Sequence, residues 1–250
     1  MNLRFTVAYE GTHYSGWQRQ GNTGNTVQAK LTEIFSRYFQ TKVDIQASGR
    51  TDAGVHAAGQ VCHVQLPEAD PQALDRYLRE LNGYLPADIR LLEFQEAATR
   101  FHSRLHAVSK TYRYVIYSGV QDPFERRHAL FLDEALNVEA MRQAAQYLLG
   151  EHDFLGFSSV KPGKRSTVRT LTECSIIETW PYPQQQKLVL DWTGSGFLYH
   201  MVRYLTGTLI EVGQGRREPE SVNDILASKD KDNATFLAPA AGLTLWQVDY

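Results

Sequence analysis

Cysteine is almost absent from this chain. Cys62 and Cys174 are the two cysteines in 250 residues. They lie far apart in strand-like runs, and neither belongs to a CxxC pair, which excludes a disulfide scaffold and structural zinc. A reducing, cytoplasmic setting fits this usage best. Long apolar runs are missing too: none approaches the roughly 20 residues needed to cross a bilayer. The opening MNLRFTVAYE alternates polar and apolar residues where a signal peptide would be continuously apolar. The chain is therefore expected to be soluble and unsecreted, with no membrane partner. With 18 Gly and 9 Pro it lacks the composition of a low-complexity or collagen-like chain. It also lacks an excess of one charge, since 26 Lys and Arg face 28 Asp and Glu. A simple polycationic nucleic-acid binder is excluded on that ground. What remains is a globular composition, 42% hydrophobic and 22% charged, long enough for one large domain or two of ordinary size.

The near-zero total conceals segregation. Residues 100–128 hold six bases (Arg100, Arg104, Lys110, Arg113, Arg126, Arg127) against Asp122 and Glu125. Residues 161–169 hold four bases and no acid, and residues 19–50 hold five bases against two acids. Basic stretches on a nearly neutral chain are the footprint of a phosphate-binding surface, although solvated loops give the same pattern.

Hydrophobic periodicity divides the chain into two mixed sets. Residues 2–10 alternate, with Leu3, Phe5, Val7 and Tyr9 on one face, and predict a strand. Val27, Leu31, Ile34, Phe35 and Tyr38 predict an amphipathic helix ending near residue 40, with Asn25 or Thr26 as its N-cap. Strands are expected at 42–47, 59–66 and 88–96, with a helix opened by Pro71 running to about residue 81. The second set comprises strands at 111–117, 168–179, 187–192 and 243–248, and helices at 138–149, 197–212 and 219–228. The reading is an α/β (α+β) protein of two units, residues 1–105 and 106–250, with a site in a cleft between them by default. No internal repeat is visible.

The chemically richest segment is Gly49-Arg50-Thr51-Asp52-Ala53-Gly54-Val55-His56-Ala57, two glycines, a guanidinium and a carboxylate between two strands. A phosphate loop of the GxxxxGK[ST] type requires Lys after the second glycine, and Val55 stands there, so that reading fails, as does a dinucleotide GxGxxG. Asp52 is either a turn residue bonding its own backbone or a reacting carboxylate. A metal site of Asp52, His56, His63 and His13 lacks any ligand motif. Nothing forms a nucleophile elbow, and Ser48 or Ser195 with a scattered His is uninformative.

The nonapeptide GRTDAGVHA, followed by Gly59-Gln60-Val61, resembles the TruA family of tRNA pseudouridine synthases. Companion segments fall in the family's order: residues 8–20 (AYEGTHYSGWQRQ), Thr26-Val27-Gln28, Asn82 with Leu85-Pro86, Phe101-His102, Lys110-Thr111-Tyr112-Arg113-Tyr114, residues 196–203 (GFLYHMVR) and residues 238–243 (APAAGL). Residues 230–237 and 161–169 depart from the family pattern. The resemblance implies the pseudouridine synthase fold, with largely antiparallel sheets flanking a central catalytic cleft. It implies isomerisation of uridine in the anticodon stem-loop of tRNA, around nucleotides 38, 39 and 40, by a homodimer. Asp52 becomes the catalytic residue, with Tyr112, Arg50, Arg203 and Leu243 binding substrate.

These residue types suit that chemistry. Breaking the N1–C1′ bond makes C1′ oxocarbenium-like, and one ionised carboxylate stabilises it or bonds to it, as glycosidase carboxylates do. With no net redox change no cofactor is required in principle, and no metal is expected. The resemblance points to Arg203 as the cation that keeps Asp52 charged across the cleft. Tyr112 is the stacking platform and its hydroxyl a candidate for helping the C5 proton leave. Arg50 fills the vacated stack or holds a phosphate, and Leu243 is an apolar wall. Two other classes compete, a non-catalytic RNA-binding protein on the same scaffold and a metal-dependent hydrolase.

Overall fold

The computed structural model describes residues 1–67, 69–161, 163, 166–234 and 236–250. Lys164 and Arg165 of the basic stretch 161–169, and Thr235 of the divergent segment 230–237, lie outside the described residues. In chain order the elements are β1 (Asn2–Tyr9), α1 (Val27–Tyr38), β2 (Gln46–Ala47), β3 (His56–Gln65), α2 (Leu74–Tyr84), β4 (Ile89–Ala97), β5 (Ser109–Gly119), β6 (Leu130–Leu132), α3 (Val138–Gln146), β7 (Gly150–Asp153), β8 (Val168–Tyr182), β9 (Gln185–Gly194), α4 (Met201–Gly213), α5 (Ser221–Ser228) and β10 (Leu243–Asp249). The class is mixed α/β, as the sequence pattern implies, with the mostly antiparallel strand pairing that the family resemblance implies. Two compact units result: Met1–Val108 together with Thr244–Tyr250, and Ser109–Leu243.

In the first unit β1 is central, antiparallel to β3 on one side and β4 on the other. Its alternation is real: Leu3, Phe5 and Val7 are fully buried. Phe5 lies 5.1 Å from Phe35 of α1 and stacks on Phe94 of β4 at 5.5 Å, so one sheet face is closed by a helix. Burying each such ring stabilises the unit by roughly 1.5 to 3 kcal/mol. Thr26, not Asn25, caps α1, its side chain accepting from the Ala29 amide at 3.3 Å. Asn25 instead donates its side-chain amide to the His13 carbonyl. The C-terminal strand β10 adds to this unit by parallel pairing with β3, Thr244 opposite His56.

In the second unit β5 runs antiparallel to β9 from Lys110 opposite Gly194 to Gly119 opposite Gln185, and β9 pairs with the long β8. β7 extends the sheet antiparallel to β8, while β6 lies parallel to β5. Helix α4 is buried nearly all round, and Trp192 of β9 donates its indole N–H to Thr206 of α4 at 3.1 Å.

Some elements differ from the sequence pattern for local reasons. The strand expected at 42–47 contracts to Gln46–Ala47, because the preceding residues bond to α1: Val43 N donates to Ser36 Oγ, and Ile45 O accepts from Gln28. Helix α4 starts at Met201, not 197, because His200 adopts φ 65°, a left-handed conformation that no α-helix accommodates. After Gln146 the i→i+3 bonds of Tyr147, Leu148 and Leu149 tighten the chain into Gly150 at φ 97°, ending α3 early.

Candidate active site

The Asp52 loop is bracketed by backbone bonds from both flanks. At its entrance Ser48 N donates to Val61 O at 2.8 Å, and Gln60 ties Ser48 Oγ and Gly49 O together with its side-chain amide. At its tip Thr51 O accepts from Trp17 N at 3.0 Å and Thr51 Oγ1 meets the Tyr9 hydroxyl at 2.8 Å. Val55 N then turns back onto Asp52 O at 3.1 Å, and Gly54 N donates to Tyr14 O at 3.3 Å. The turn uses Gly54 at φ 79°, the left-handed region that favours glycine.

A second loop, residues 11–20, makes this bracket possible. At Gly11 a Cβ would fall 1.9 Å from Val55 O, so glycine alone lets the two backbones touch. Gly11 N donates to His56 Nδ1 at 3.0 Å, which fixes the buried imidazole with Nδ1 as acceptor. Gln28 at the start of α1 holds the far end, accepting from Arg19 N and Gln18 and donating to Ile45 O. Tyr14 donates its hydroxyl to Asp88 Oδ1 at 2.7 Å, and burial with this carboxylate partner pushes its pKa well up. Asp52 emerges half-buried from this frame, and Arg50 is exposed on the same loop.

Three of the other expected site residues lie in the second unit. Arg203 on α4 donates Nε to Ala238 O at 2.7 Å, and Ala238 N donates back to Arg203 O, so the guanidinium is fixed by the segment that leads to β10. The Tyr114 hydroxyl donates to Pro239 O in the same segment at 2.8 Å. Burial raises its pKa while the nearby Arg203 opposes the rise. Tyr112, two residues earlier on β5, is buried opposite Trp192 and meets Phe197 edge-on at 5.0 Å. Leu243 is buried at the start of β10. Arg50 and Asp52 thus lie in one unit, and Tyr112, Arg203 and Leu243 in the other.

Of the four residues in the metal alternative, two histidines bond backbone amides through Nδ1. His56 serves Gly11, His63 Nδ1 accepts from Ser103 N at 3.2 Å, and His13 is exposed. Among the described residues no three His, Cys, Asp or Glu side chains gather as a metal site, and no helix is long and apolar enough to cross a membrane. Sequence reasoning placed Tyr9, Gly11, Trp17 and His56 in motifs but missed that they frame the loop. The signal was present in two glycines set among aromatics in GTHYSGW, which marks a loop that packs closely instead of one that merely connects.

The chain is similar to known proteins along nearly its whole length. The family model described as tRNA pseudouridine synthase matches residues 6–104 and 144–250. Proteins named tRNA pseudouridine synthase A from Exiguobacterium sp. and Bacillus sp. (strain KSM-64) are each 42% identical, over 99% and 100% of this chain and 97% and 99% of theirs. One from Geobacillus kaustophilus is 40% identical over 99% of this chain and 94% of its own. Among solved structures, an H/ACA RNP bound to a substrate RNA containing 2'-deoxyuridine matches 84% of this chain and 44% of its own, at 13% identity and a TM-score of 0.36. The archaeal box H/ACA sRNP Nop10-Cbf5 complex matches 96% and 59% at 11% identity and a TM-score of 0.37. Those two likenesses are too slight to argue from, but the sequence matches run through both units, and the chain belongs to the TruA family of tRNA pseudouridine synthases, isomerases that convert uridine to pseudouridine in tRNA.

Proposed function

We propose that this isomerase modifies the anticodon stem-loop of tRNA, around nucleotides 38, 39 and 40, using Asp52 as the reacting carboxylate on a flipped-out nucleotide. The observation that carries the reading is the bracket on the Asp52 loop: both flanks are pinned while the carboxylate stays half-buried. Residues 1–105 form the domain that carries the loop, and residues 106–250 supply Tyr112, Arg203 and Leu243. The working form is a cytoplasmic homodimer that binds tRNA and needs no cofactor.

Extruding the nucleotide costs a few kcal/mol, and stacking on an aromatic side chain returns about 1 to 3 kcal/mol. Tyr112 fills that role against the base, with Leu243 as an apolar wall and Arg203 holding substrate. The exposed Arg50 occupies the vacated stack or a phosphate. As the N1–C1′ bond breaks, its electron pair goes to N1 and positive charge develops at C1′. The ionised Asp52 either bonds to C1′ or takes the 2′ proton. The uracil then turns, C5 joins C1′, the C5 proton leaves, N1 gains one, and the carboxylate is regenerated by losing its bond to C1′ on the first route or by returning the proton to C2′ on the second. Atoms and electrons balance without a redox partner.

The test is a mass-silent isomerisation assay on bulk tRNA. Asp52→Asn keeps the shape of the side chain and is expected to retain tRNA binding while pseudouridine formation disappears. A non-catalytic RNA binder predicts no change in any function of that variant. Product formed after exhaustive chelation excludes the metal-dependent hydrolase.

A further inference from the structure

We propose that Thr51 is a positioning residue for this reaction, its hydroxyl bond to Tyr9 setting the direction in which the Asp52 side chain leaves the loop. The inference rests on Asp52 being the reacting carboxylate. Thr51 is 6% exposed and Tyr9 5% exposed, so their 2.8 Å hydroxyl pair is shielded from water. A valine would fill the same volume, and a buried hydroxyl costs free energy unless it is paired. Packing therefore gives no reason for threonine here.

What the hydroxyl adds is direction. A hydrogen bond is directional where a methyl contact is not. Tyr9 is a firm anchor, the last residue of β1, beyond a register shift and opposite Ala57 of β3, with its ring 5.9 Å from that of Trp17. The same Trp17 holds the Thr51 carbonyl through its backbone N–H. Thr51 is thus fixed at the side chain by β1 and at the main chain by the 11–20 loop. Asp52, the next residue, has its own carbonyl closed onto Val55 N. A reacting carboxylate must meet its target to within about 0.5 Å, and a shift of about 1 Å costs around a hundredfold in rate.

The experiment compares Thr51→Val, Thr51→Ser and Tyr9→Phe in release of tritium from bulk tRNA labelled at uridine C5, with tRNA binding and thermal melting measured in parallel. Thr51→Val is expected to lower kcat by about 10- to 100-fold, with KM and tRNA affinity within about twofold of wild type. Thr51→Ser restores the hydroxyl and should stay within about threefold of the wild-type kcat. Tyr9→Phe should reproduce the loss seen with valine, and the double variant should lose no more than the worse single one. Wild-type kcat in Thr51→Val, an equal loss in Thr51→Ser, or a loss confined to KM overturns the proposal. Where Thr51→Val fails to fold, Tyr9→Phe decides by the same kcat and KM criteria. Asp52→Asn in the same assay separates the two ideas: an active Asp52→Asn sinks the function, whereas an inactive one beside a fully active Thr51→Val sinks this inference alone.

Discussion

His63 sits on β3 with its Nδ1 accepting from the Ser103 amide and lying 2.9 Å from Ser103 Oγ, so the fold uses the neutral ring. Burial lowers its pKa from the ordinary 6.5, the nearby His102 ring at 4.6 Å lowers it further, and Asp44 opposes both. A histidine whose folded pKa lies below its unfolded value contributes stability that is complete above the unfolded value and lost as pH falls below it. Melting temperature is therefore expected to decline as pH is lowered from about 6.5. His63→Asn, which keeps an acceptor near Nδ1, should flatten that decline. Identical pH profiles for the two proteins would refute the assignment. The sequence read His63 as a strand residue, and β3 bears that out. Its service to the Ser103 amide was invisible, because the partner lies 40 positions away and follows no spacing rule.

At the scale of elements, long periodic segments were legible and short or context-dependent ones were not. Leu3, Phe5 and Val7 announced β1 by alternation, and Val27, Leu31 and Phe35 announced α1 by helical spacing. The strands Leu130–Leu132 and Gly150–Asp153 are too short to show a period, and pairing with β5 and β8 alone makes them strands. The Asp52 loop was legible through its residue types, whereas the loop that frames it became meaningful only once the two backbones touched. Close approach also separates two helical glycines. In α4 a Cβ on Gly207 would lie 1.8 Å from Phe236 O, while at the exposed Gly83 of α2 nothing stands within 4 Å. Gly207→Ala is expected to destabilise the protein by about 2 kcal/mol or more through forced overpacking. Gly83→Ala should stabilise it by roughly 0.5 to 1 kcal/mol through helix propensity. Denaturant unfolding of both variants checks the opposite signs, and stabilisation by both would show that the Gly207 contact relaxes at little cost.

For the whole molecule the question is which of the segregated charges meet RNA. The stretch 100–128 carries six bases, but they are not equivalent. Arg113 makes a two-pronged pair with Asp191 across β5 and β9, at 2.8 and 2.7 Å, and this hydrogen-bonded partner raises its pKa further. Its charge is already matched inside the second unit. Arg100, Arg104 and Arg126 are exposed, and in α1 Arg37 is paired on the surface with Glu33 at 3.2 Å. Counting bases along the chain therefore overstates the charge available to a polyanion. Each cation that neutralises a phosphate releases counterions, so the logarithm of affinity falls with the logarithm of salt by about 0.7 to 0.9 per contact. A chain with about six such contacts should bind tRNA roughly a thousandfold more weakly at 200 mM than at 50 mM salt. Arg104→Ala is expected to lower affinity for all tRNAs alike and reduce the salt slope by about 1. Arg113→Ala should leave the slope unchanged while lowering the melting temperature, because Asp191 loses its partner in a half-buried setting. Filter-binding titrations of the three proteins across salt decide between these outcomes. A shallow wild-type slope would mean that the basic stretches are ordinary solvated surface, and a slope that falls for Arg113→Ala and not for Arg104→Ala would mean that the Asp191 pair does not withhold Arg113 from RNA.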